Sequence, residues 1–310
     1  MATNLKPFSS EVVIHIDRLS KRYGKLLALN QLSLDVLRGE IFGYLGPNGA
    51  GKTTTIRMLL DLIRPTSGQA TIFGLDVQAN PVAVHQRLGN LPGELSLWNQ
   101  YTGWQVMEYL GGLRGGMNRA YVGELAEQLD MDMNRRVKEC SSGMKRKLGL
   151  IQAMMHKPDL LILDEPTNGL DPLVQQTFYK LMEEVRDEGR TVFMSSHILP
   201  EVEHVCDRVG ILRGGVLKAV ERISDLKQVS FRWMTLHVAD EDSINPDDFA
   251  AIEGVSDVSR LNGGAVRFRV TGDLDPVIKT AARYHVHDLQ YVEPSLEEIF
   301  LEYYGESSHE

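Results

Sequence analysis

Residues 46–53 read Gly46-Pro47-Asn48-Gly49-Ala50-Gly51-Lys52-Thr53 and match the pattern G-x-x-x-x-G-K-[ST] at every fixed position. Before this stretch, residues 39–45 are typical of a short buried strand. After it, residues 54–63 have apolar side chains at helical spacing. A glycine-rich loop between a strand and a helix is the context in which this pattern binds phosphate, and a chance glycine turn is the ordinary alternative.

Each part of this phosphate loop has a chemical task. Its glycines let successive backbone N–H groups point at phosphate oxygens. The following helix adds unpaired amides and the positive end of its dipole. Lys52 would place its charge on the outer phosphates, and the Thr53 hydroxyl is placed to hold Mg²⁺.

A second feature is an acid pair at the end of an apolar run. Residues 160–163 are Leu-Leu-Ile-Leu, which is typical of a central parallel strand buried on both faces, and Asp164-Glu165 follow. Ligands of open α/β sheets bind at the carboxyl ends of strands. We therefore expect Asp164 to hold Mg²⁺ and Glu165 to orient or deprotonate a water, the alternative being a capping pair.

Three further positions have both a functional and an ordinary interpretation. Tyr23 precedes the loop and offers a flat ring on which a base could stack, but it also suits a surface turn. His197 follows another buried strand, where it would meet a γ-phosphate or simply occupy a turn. Ser141 opens a helix, as a cap or as part of a second anion site, and residues 145–147 add positive charge or form a solvated basic face.

Composition sets the broad class of the protein. The chain has 310 residues, 43% hydrophobic and 24% charged, as expected of a soluble globular protein with two domains. No apolar run is long enough to span a bilayer, and the N-terminus lacks a signal pattern, so we expect a cytosolic protein. Two isolated cysteines predict neither a disulfide framework nor a zinc site, and a net charge of −9 disfavours nucleic acid as the main partner.

The remaining pattern predicts a helical insertion and a separate tail. Residues 102–155 have helical spacing, with candidate apolar faces Trp104, Met107, Leu110, Leu113 and Val122, Leu125, Ala126, Leu129. Composition shifts near 224–230. From there the order strand, helix, strand, strand, helix, strand and a last helix at 295–304 resembles a small ferredoxin-like unit.

Taken in order, these motifs resemble the ATP-binding subunit of an ABC transporter, closest to the ABC-2 type group that exports drugs and lipids. Residues 46–54 match its Walker A motif, 160–165 its Walker B motif with the catalytic glutamate, 168–171 its D-loop, and His197 its switch histidine. The resemblance implies an α/β P-loop NTPase cassette at 11–222, with a RecA-like core, an antiparallel β subdomain and a helical subdomain at 95–157. A C-terminal ferredoxin-like α+β domain at 230–310 follows, in which 293–298 resembles the group's extension.

The resemblance also implies the site residues. Catalytic roles fall on Lys52, Glu165 and His197, and Mg²⁺ would be held by Thr53, Asp164 and Glu94. The set expected to contact ATP is Tyr23, Gly46, Pro47, Asn48, Gly49, Ala50, Gly51, Lys52, Thr53, Thr54, Ser141 and Gly143.

Two positions depart from the family pattern. The signature Leu-Ser-Gly-Gly-Gln reads Cys140-Ser141-Ser142-Gly143-Met144, which keeps the serine and the second glycine but replaces the polar glutamine. The Q-loop glutamine is replaced by Gly93, and Glu94 is the nearest side chain that could reach a metal-bound water.

The partners are likewise implied by the resemblance. Two cassettes, which are two copies of this chain or two homologues, would pair head to tail around ATP. They would drive a separate transmembrane permease from the cytoplasmic face of the membrane, and the subgroup implies that this permease is an exporter. Contacts with the cargo are expected in the permease. The alternatives are a soluble ABC-type ATPase acting on nucleic acid or ribosomes, a GTPase or small kinase, and an inactive regulatory module. These alternatives are disfavoured because the chain has one cassette, an acidic balance and no Asn-Lys-x-Asp motif, and because Lys52, Asp164 and Glu165 are intact.

Overall fold

The computed structural model describes residues 11–228, 231–239, 244–261 and 264–292. The chain divides into two compact units, and the division falls between Ile223 and Ser224. Among the described residues, no helix is both long and apolar enough to cross a membrane. The predicted last helix at 295–304 and the stretch at 293–298 lie outside these residues.

A six-stranded sheet forms the centre of the first unit. Five of its strands are parallel, and the sixth pairs antiparallel at one edge. The order across the sheet is β10 (Val216–Arg222), β9 (Arg208–Arg213), β3 (Ile41–Leu45), β8 (Thr191–Ser196), β7 (Leu160–Asp164) and β6 (Leu88–Leu91). Every residue of β3, β7 and β8 is buried, which is why residues 41–45, 160–163 and 192–194 are apolar without alternation.

Apart from the insertion between β6 and β7, the described segments between these strands contain four helices: α1 (Lys52–Leu59), α2 (Pro81–Gln86), α6 (Pro172–Asp187) and α7 (Leu199–Val205). Helix α6 begins as its sequence predicts, because the Asp171 side chain accepts a hydrogen bond from Val174 N at 3.1 Å and Pro172 occupies the first turn. The short helices α2 and α7 were not predicted.

Helix α1 ends at Leu59, so the prediction that it continues to Ile63 is wrong. Asp61 adopts the left-handed conformation, with φ of +53°, and Leu62 N turns back to donate to Arg57 O at 2.8 Å. Aspartate tolerates this conformation better than most residues, and a left-handed residue ends a helix.

A four-stranded antiparallel sheet packs beside the central sheet in the same unit. Its order is β2 (Leu26–Leu37), β1 (Val12–Tyr23), β4 (Ser67–Ile72) and β5 (Leu75–Asp76). Ile14, Leu29 and Ile72 of this sheet share one apolar cluster with Phe42 and Leu160 of the central sheet. The β1–β2 hairpin is thereby fixed next to the strand that precedes the phosphate loop.

Between β6 and β7 lie three helices, α3 (Gly103–Leu113), α4 (Arg119–Gln128) and α5 (Ser142–Met154). Each begins at a polar cap, namely Thr102, Asn118 and Ser141. The predicted apolar face of α4 is buried throughout. On α3 the prediction is wrong for Leu113, which is 71% exposed because it ends the helix and its core-facing residues are Val106 and Met107.

The second unit is a four-stranded antiparallel sheet with two helices on one face. Helix α8 (Ile223–Gln228) precedes it. The elements are β11 (Phe231–Val238), α9 (Asp247–Ala250), β12 (Val255–Leu261), β13 (Ala265–Thr271), α10 (Asp275–Ala281) and β14 (Val286–Val292), and the strands lie in the order β12-β13-β11-β14. This strand order is that of a ferredoxin-like, or split βαβ, unit.

Candidate nucleotide site

The phosphate loop lies between the carboxyl end of β3 and the start of α1. Gly51 caps α1 with a φ of +113°, and a Cβ there would lie 2.8 Å from the carbonyl oxygen of Ala28. Only glycine suits both the backbone angle and this close approach. Because Gly51 has no side chain to cap the helix, the amides of the first turn of α1 keep their capacity to donate to a ligand.

Lys52 fills the concave side of the loop. Its side chain is 5% exposed, and Nζ donates to the carbonyl oxygens of Gly46 at 2.6 Å and Pro47 at 3.3 Å. The same ammonium lies 3.4 Å from Glu165 Oε1. The structure therefore places one buried positive charge between the loop backbone and the acid pair.

Asp164 joins the phosphate loop to the neighbouring strand end. It is the last residue of β7, and its Oδ2 accepts a hydrogen bond from Thr53 Oγ1 at 2.9 Å. Its Oδ1 accepts one from Ser195 Oγ, near the end of β8, at 2.5 Å. A carboxylate and a hydroxyl held this close provide the hard oxygen ligands that Mg²⁺ prefers, so Asp164 and Thr53 fit a magnesium site.

Glu165 is held in an uncommon backbone conformation. Its φ is +50°, and its amide donates to both the carbonyl and the hydroxyl oxygen of Ser195, at 3.2 and 3.1 Å. Its Oε1 lies 3.1 Å from His197 Nδ1, in addition to the contact with Lys52. Left-handed residues other than glycine cluster at functional sites, where the surrounding structure stabilises them.

These contacts form because three parallel strands end side by side. In the sheet β3 pairs with β8 and β8 pairs with β7, so residues that follow the three strands meet at one edge. Lys52, Asp164, Glu165 and His197 converge there, although they are far apart in the sequence. A basic group, two carboxylates and an imidazole at the mouth of an amide-lined loop are suited to binding and cleaving a phosphoanhydride.

Comparisons with known proteins agree with this geometry. The family model described as "ABC transporter" matches residues 29–168, a range that contains the phosphate loop and the acid pair. The bacitracin transport ATP-binding protein BcrA of Enterococcus faecalis is 34% identical over 255 residues, which cover 79% of this chain and 83% of that protein.

The chain belongs to the ABC transporter family. A second relative, the linearmycin resistance ATP-binding protein LnrL of Bacillus subtilis (strain 168), is 30% identical over 307 residues, 94% of this chain and 98% of that one. A solved ATP-binding subunit of an ABC transporter superimposes with a TM-score of 0.64 at 28% identity, over 70% of this chain and 92% of that chain. The protein is thus the ATP-hydrolysing subunit of an ABC transporter, which powers a separate permease.

Among the described residues, no hydrogen bond joins the signature segment of this ABC subunit, residues 140–144, to the phosphate loop of the same chain. Ser141 caps α5 and is exposed. A Cβ on Gly143 would lie 2.7 Å from the carbonyl oxygen of Gly169, so the D-loop packs directly on the signature glycine. Ser141 and Gly143 therefore lie next to the segment that follows the acid pair.

Tyr23 and Glu94 are both exposed in the cassette. Tyr23 ends β1 with a ring that is 45% exposed and has Lys21 Nζ 5.1 Å from its centroid. The same hairpin carries Ala28, which abuts Gly51 of the phosphate loop.

Gly93 rather than Glu94 faces the acid pair. A Cβ on Gly93 would lie 3.0 Å from Asp164 Oδ2, whereas among the described residues no hydrogen bond or ion pair joins Glu94 to Asp164 or Thr53. The participation of Tyr23 and of Glu94 in the site stays a prediction.

Sequence reasoning missed several residues that organise the site. Ser195 donates to the Asp164 carboxylate and accepts from the Glu165 backbone amide. Glu201, 4% exposed, accepts hydrogen bonds from the Thr167 and Ser196 hydroxyls at 2.5 Å each. Burial raises the pKa of the Glu201 carboxyl above its usual value. The available signal was the pair Ser195-Ser196 at the end of a buried strand, since a polar pair in such a place usually binds another polar group.

Proposed function

We propose that the Lys52, Asp164, Glu165 and His197 side chains carry out ATP hydrolysis in this subunit. The amides of residues 46–54 and the Lys52 ammonium would bind the phosphates. Glu165 would accept the proton of the attacking water, and His197, which touches Glu165, would contact the γ-phosphate. The convergence of these four residues at the ends of adjacent strands is the observation that supports this assignment.

Magnesium would be held by Thr53 and Asp164, whose oxygens already lie together. Bound there, Mg²⁺ supplies positive charge that neutralises charge on the phosphate oxygens. Ser195 keeps the Asp164 carboxylate oriented by donating to its other oxygen. Tyr23, on the hairpin that abuts the loop, would stack on the adenine, and its exposed ring leaves room for that.

For His197→Ala we expect ATP binding to be kept and kcat for hydrolysis to fall about 10- to 100-fold, since one polar group that contacts the reacting phosphate is removed. His204, on the neighbouring helix α7, provides the control as His204→Ala, because it packs on Tyr179 and not on the acid pair. Steady-state ATPase rates and nucleotide titration measure the two quantities. Equal kcat for wild type and His197→Ala would show that His197 only occupies a turn and takes no part in hydrolysis.

We further propose that two cassettes pair head to tail around ATP. One chain carries two helix ends suited to phosphate, the starts of α1 and α5, and Ser141 at the second is exposed. A single ATP would meet both only if a second copy or a homologous cassette supplied the second one. ATP would then stabilise the paired state because it binds that state better, and hydrolysis would release it.

The transporter that this subunit powers is proposed to be an exporter. The relatives named for bacitracin transport and linearmycin resistance support a drug-like cargo. The subunit would lie at the cytoplasmic face of the cell membrane, attached through the permease. A net charge of −9 favours this over the alternative of an ATPase that acts on nucleic acid or ribosomes.

Purification of the tagged full-length chain from its native membranes in mild detergent tests this proposal. We expect a polytopic membrane protein to co-purify in defined stoichiometry, with the untagged strain as control. Filter binding of the same preparation to nucleic acid over a range of salt concentrations tests the alternative. Recovery of the chain with nucleic acid, and without a membrane protein, would contradict the proposed function.

A further inference from the structure

Arg146 lies on α5, five residues after the cap Ser141, and is 6% exposed. Its guanidinium donates to five main-chain carbonyl oxygens. Nη1 bonds Pro92 at 2.7 Å and Gly93 at 3.1 Å, Nε bonds Pro166 at 3.2 Å, and Nη2 bonds Asp164 at 2.5 Å and also Glu165. A guanidinium has five N–H donors, so its whole donor capacity is used on these carbonyls.

The five carbonyls belong to two chain segments that follow adjacent strands. Asp164 ends β7 and residues 165–166 follow it, residues 92–93 follow β6, and the two strands pair in parallel with Leu91 opposite Leu163. Arg146 therefore bridges the carboxyl ends of β6 and β7 through hydrogen bonds to the main chain. It binds main-chain oxygens there, which leaves the carboxylates of Asp164 and Glu165 to Thr53, Lys52 and His197.

The hydrogen bonds of Arg146 and Ser195 stabilise the backbone of Glu165. Its left-handed backbone, with φ of +50°, is unfavourable for a residue with a side chain. Ser195 binds its amide and Arg146 binds its carbonyl, so both of its peptide groups are anchored. The direction of the Glu165 side chain follows from this backbone conformation.

We propose that Arg146 is a positioning residue that holds Glu165 in the geometry needed for ATP hydrolysis. The inference rests on the proposed role of Glu165 as the base. Because Arg146 belongs to the same helix as Ser141, the start of α5 and the acid pair of one chain are joined through a single side chain. The earlier expectation that residues 145–147 attract an anion or form a solvated face is wrong for Arg146 and Lys147, which are both buried and donate to main-chain carbonyls.

Lys147 provides a matched control on the same helix. It is also buried, at 8% exposed, but its Nζ donates to the carbonyl oxygen of Asp130 at 3.2 Å, at the end of α4 and away from the acid pair. Both residues are cations on α5 that stabilise the packing of the helix. They differ in whether their hydrogen bonds reach residues 164–166.

The test compares Arg146→Lys, Arg146→Met and Lys147→Met in the full-length chain. For Arg146→Met we expect kcat to fall about 30- to 100-fold with the KM for ATP changed less than about threefold, since a small misplacement of a catalytic group has effects of this size. Arg146→Lys should recover part of the rate, because an ammonium has three donors and lacks the planar fork. Lys147→Met should lower the melting temperature with kcat within about threefold of wild type.

A double-mutant cycle then tests whether Arg146 acts through Glu165. In the Glu165→Gln background, Arg146→Lys should cost little further turnover, because the group that it positions is already gone. The same fold-loss from Arg146→Lys in both backgrounds would overturn the inference, as would a loss of kcat for Lys147→Met equal to that for Arg146→Met. If instead Glu165→Gln alone turns over like wild type, the assignment of Glu165 as the base fails, a distinguishable result.

Discussion

Glu165→Gln is expected to lower kcat for ATP hydrolysis about 10²- to 10⁴-fold while ATP stays bound, which is the range that loss of a general base produces. The glutamine side chain keeps the size of the carboxylate. The hydrogen bonds from the Glu165 backbone amide to Ser195 are also kept. What the side chain loses is the ability to accept a proton. Phosphate release and binding of a fluorescent ATP analogue measure the two quantities separately.

The control for this variant is Glu184→Gln, which changes an exposed carboxylate on α6. Because Glu165→Gln would hold ATP uncleaved, light scattering should also show an ATP-dependent doubling of its mass if cassettes pair as proposed. Near-normal turnover in this variant would remove Glu165 from the base role. A monomer at saturating ATP would count against the head-to-tail pair.

Lys52→Ala should have the second large effect. We expect the dissociation constant for ATP to rise about 10- to 100-fold, because a charge-assisted hydrogen bond to phosphate is lost. Turnover should fall with it, by about 10²-fold or more, since the same charge stabilises the reacting phosphate. Isothermal titration and steady-state ATPase rates measure these effects.

Lys180→Ala, an exposed lysine on α6, is the matched control for Lys52→Ala. Removal of Lys52 also leaves the Gly46 and Pro47 carbonyls without its hydrogen bonds, so thermal unfolding must be measured alongside. A folded Lys52→Ala protein with wild-type affinity and rate would contradict the assignment of the phosphate loop.

The parts of the site that the sequence predicts well are local in the chain. The loop at 46–53, the acid pair after 160–163 and the buried strands β7 and β8 are each a contiguous pattern, and the parallel α/β core follows from them. The cap Asp171 and the first-turn Pro172 of α6 are likewise neighbours in the sequence. Such signals need no knowledge of distant residues.

The parts that sequence reasoning missed depend on contacts across the fold. Arg146 and Lys147 are adjacent cations with the same local pattern, yet one binds residues 164–166 and the other binds Asp130. Which carbonyls each meets is decided by the packing of α5 against the strand ends. The position of Gly93 rather than Glu94 beside Asp164 is likewise set by the course of the loop after β6.

The central claim is that one ATP is bound by the phosphate loop and cleaved at the neighbouring acid pair. It is tested most directly by mixing the full-length chain, in excess, with radiolabelled ATP and Mg²⁺ and identifying the protein-bound nucleotide after one turnover. The account predicts ADP on the wild-type chain, uncleaved ATP on Glu165→Gln and little bound nucleotide on Lys52→Ala. Wild-type protein that neither retains nor cleaves ATP, or a Glu165→Gln chain that carries ADP at the wild-type rate, would contradict it.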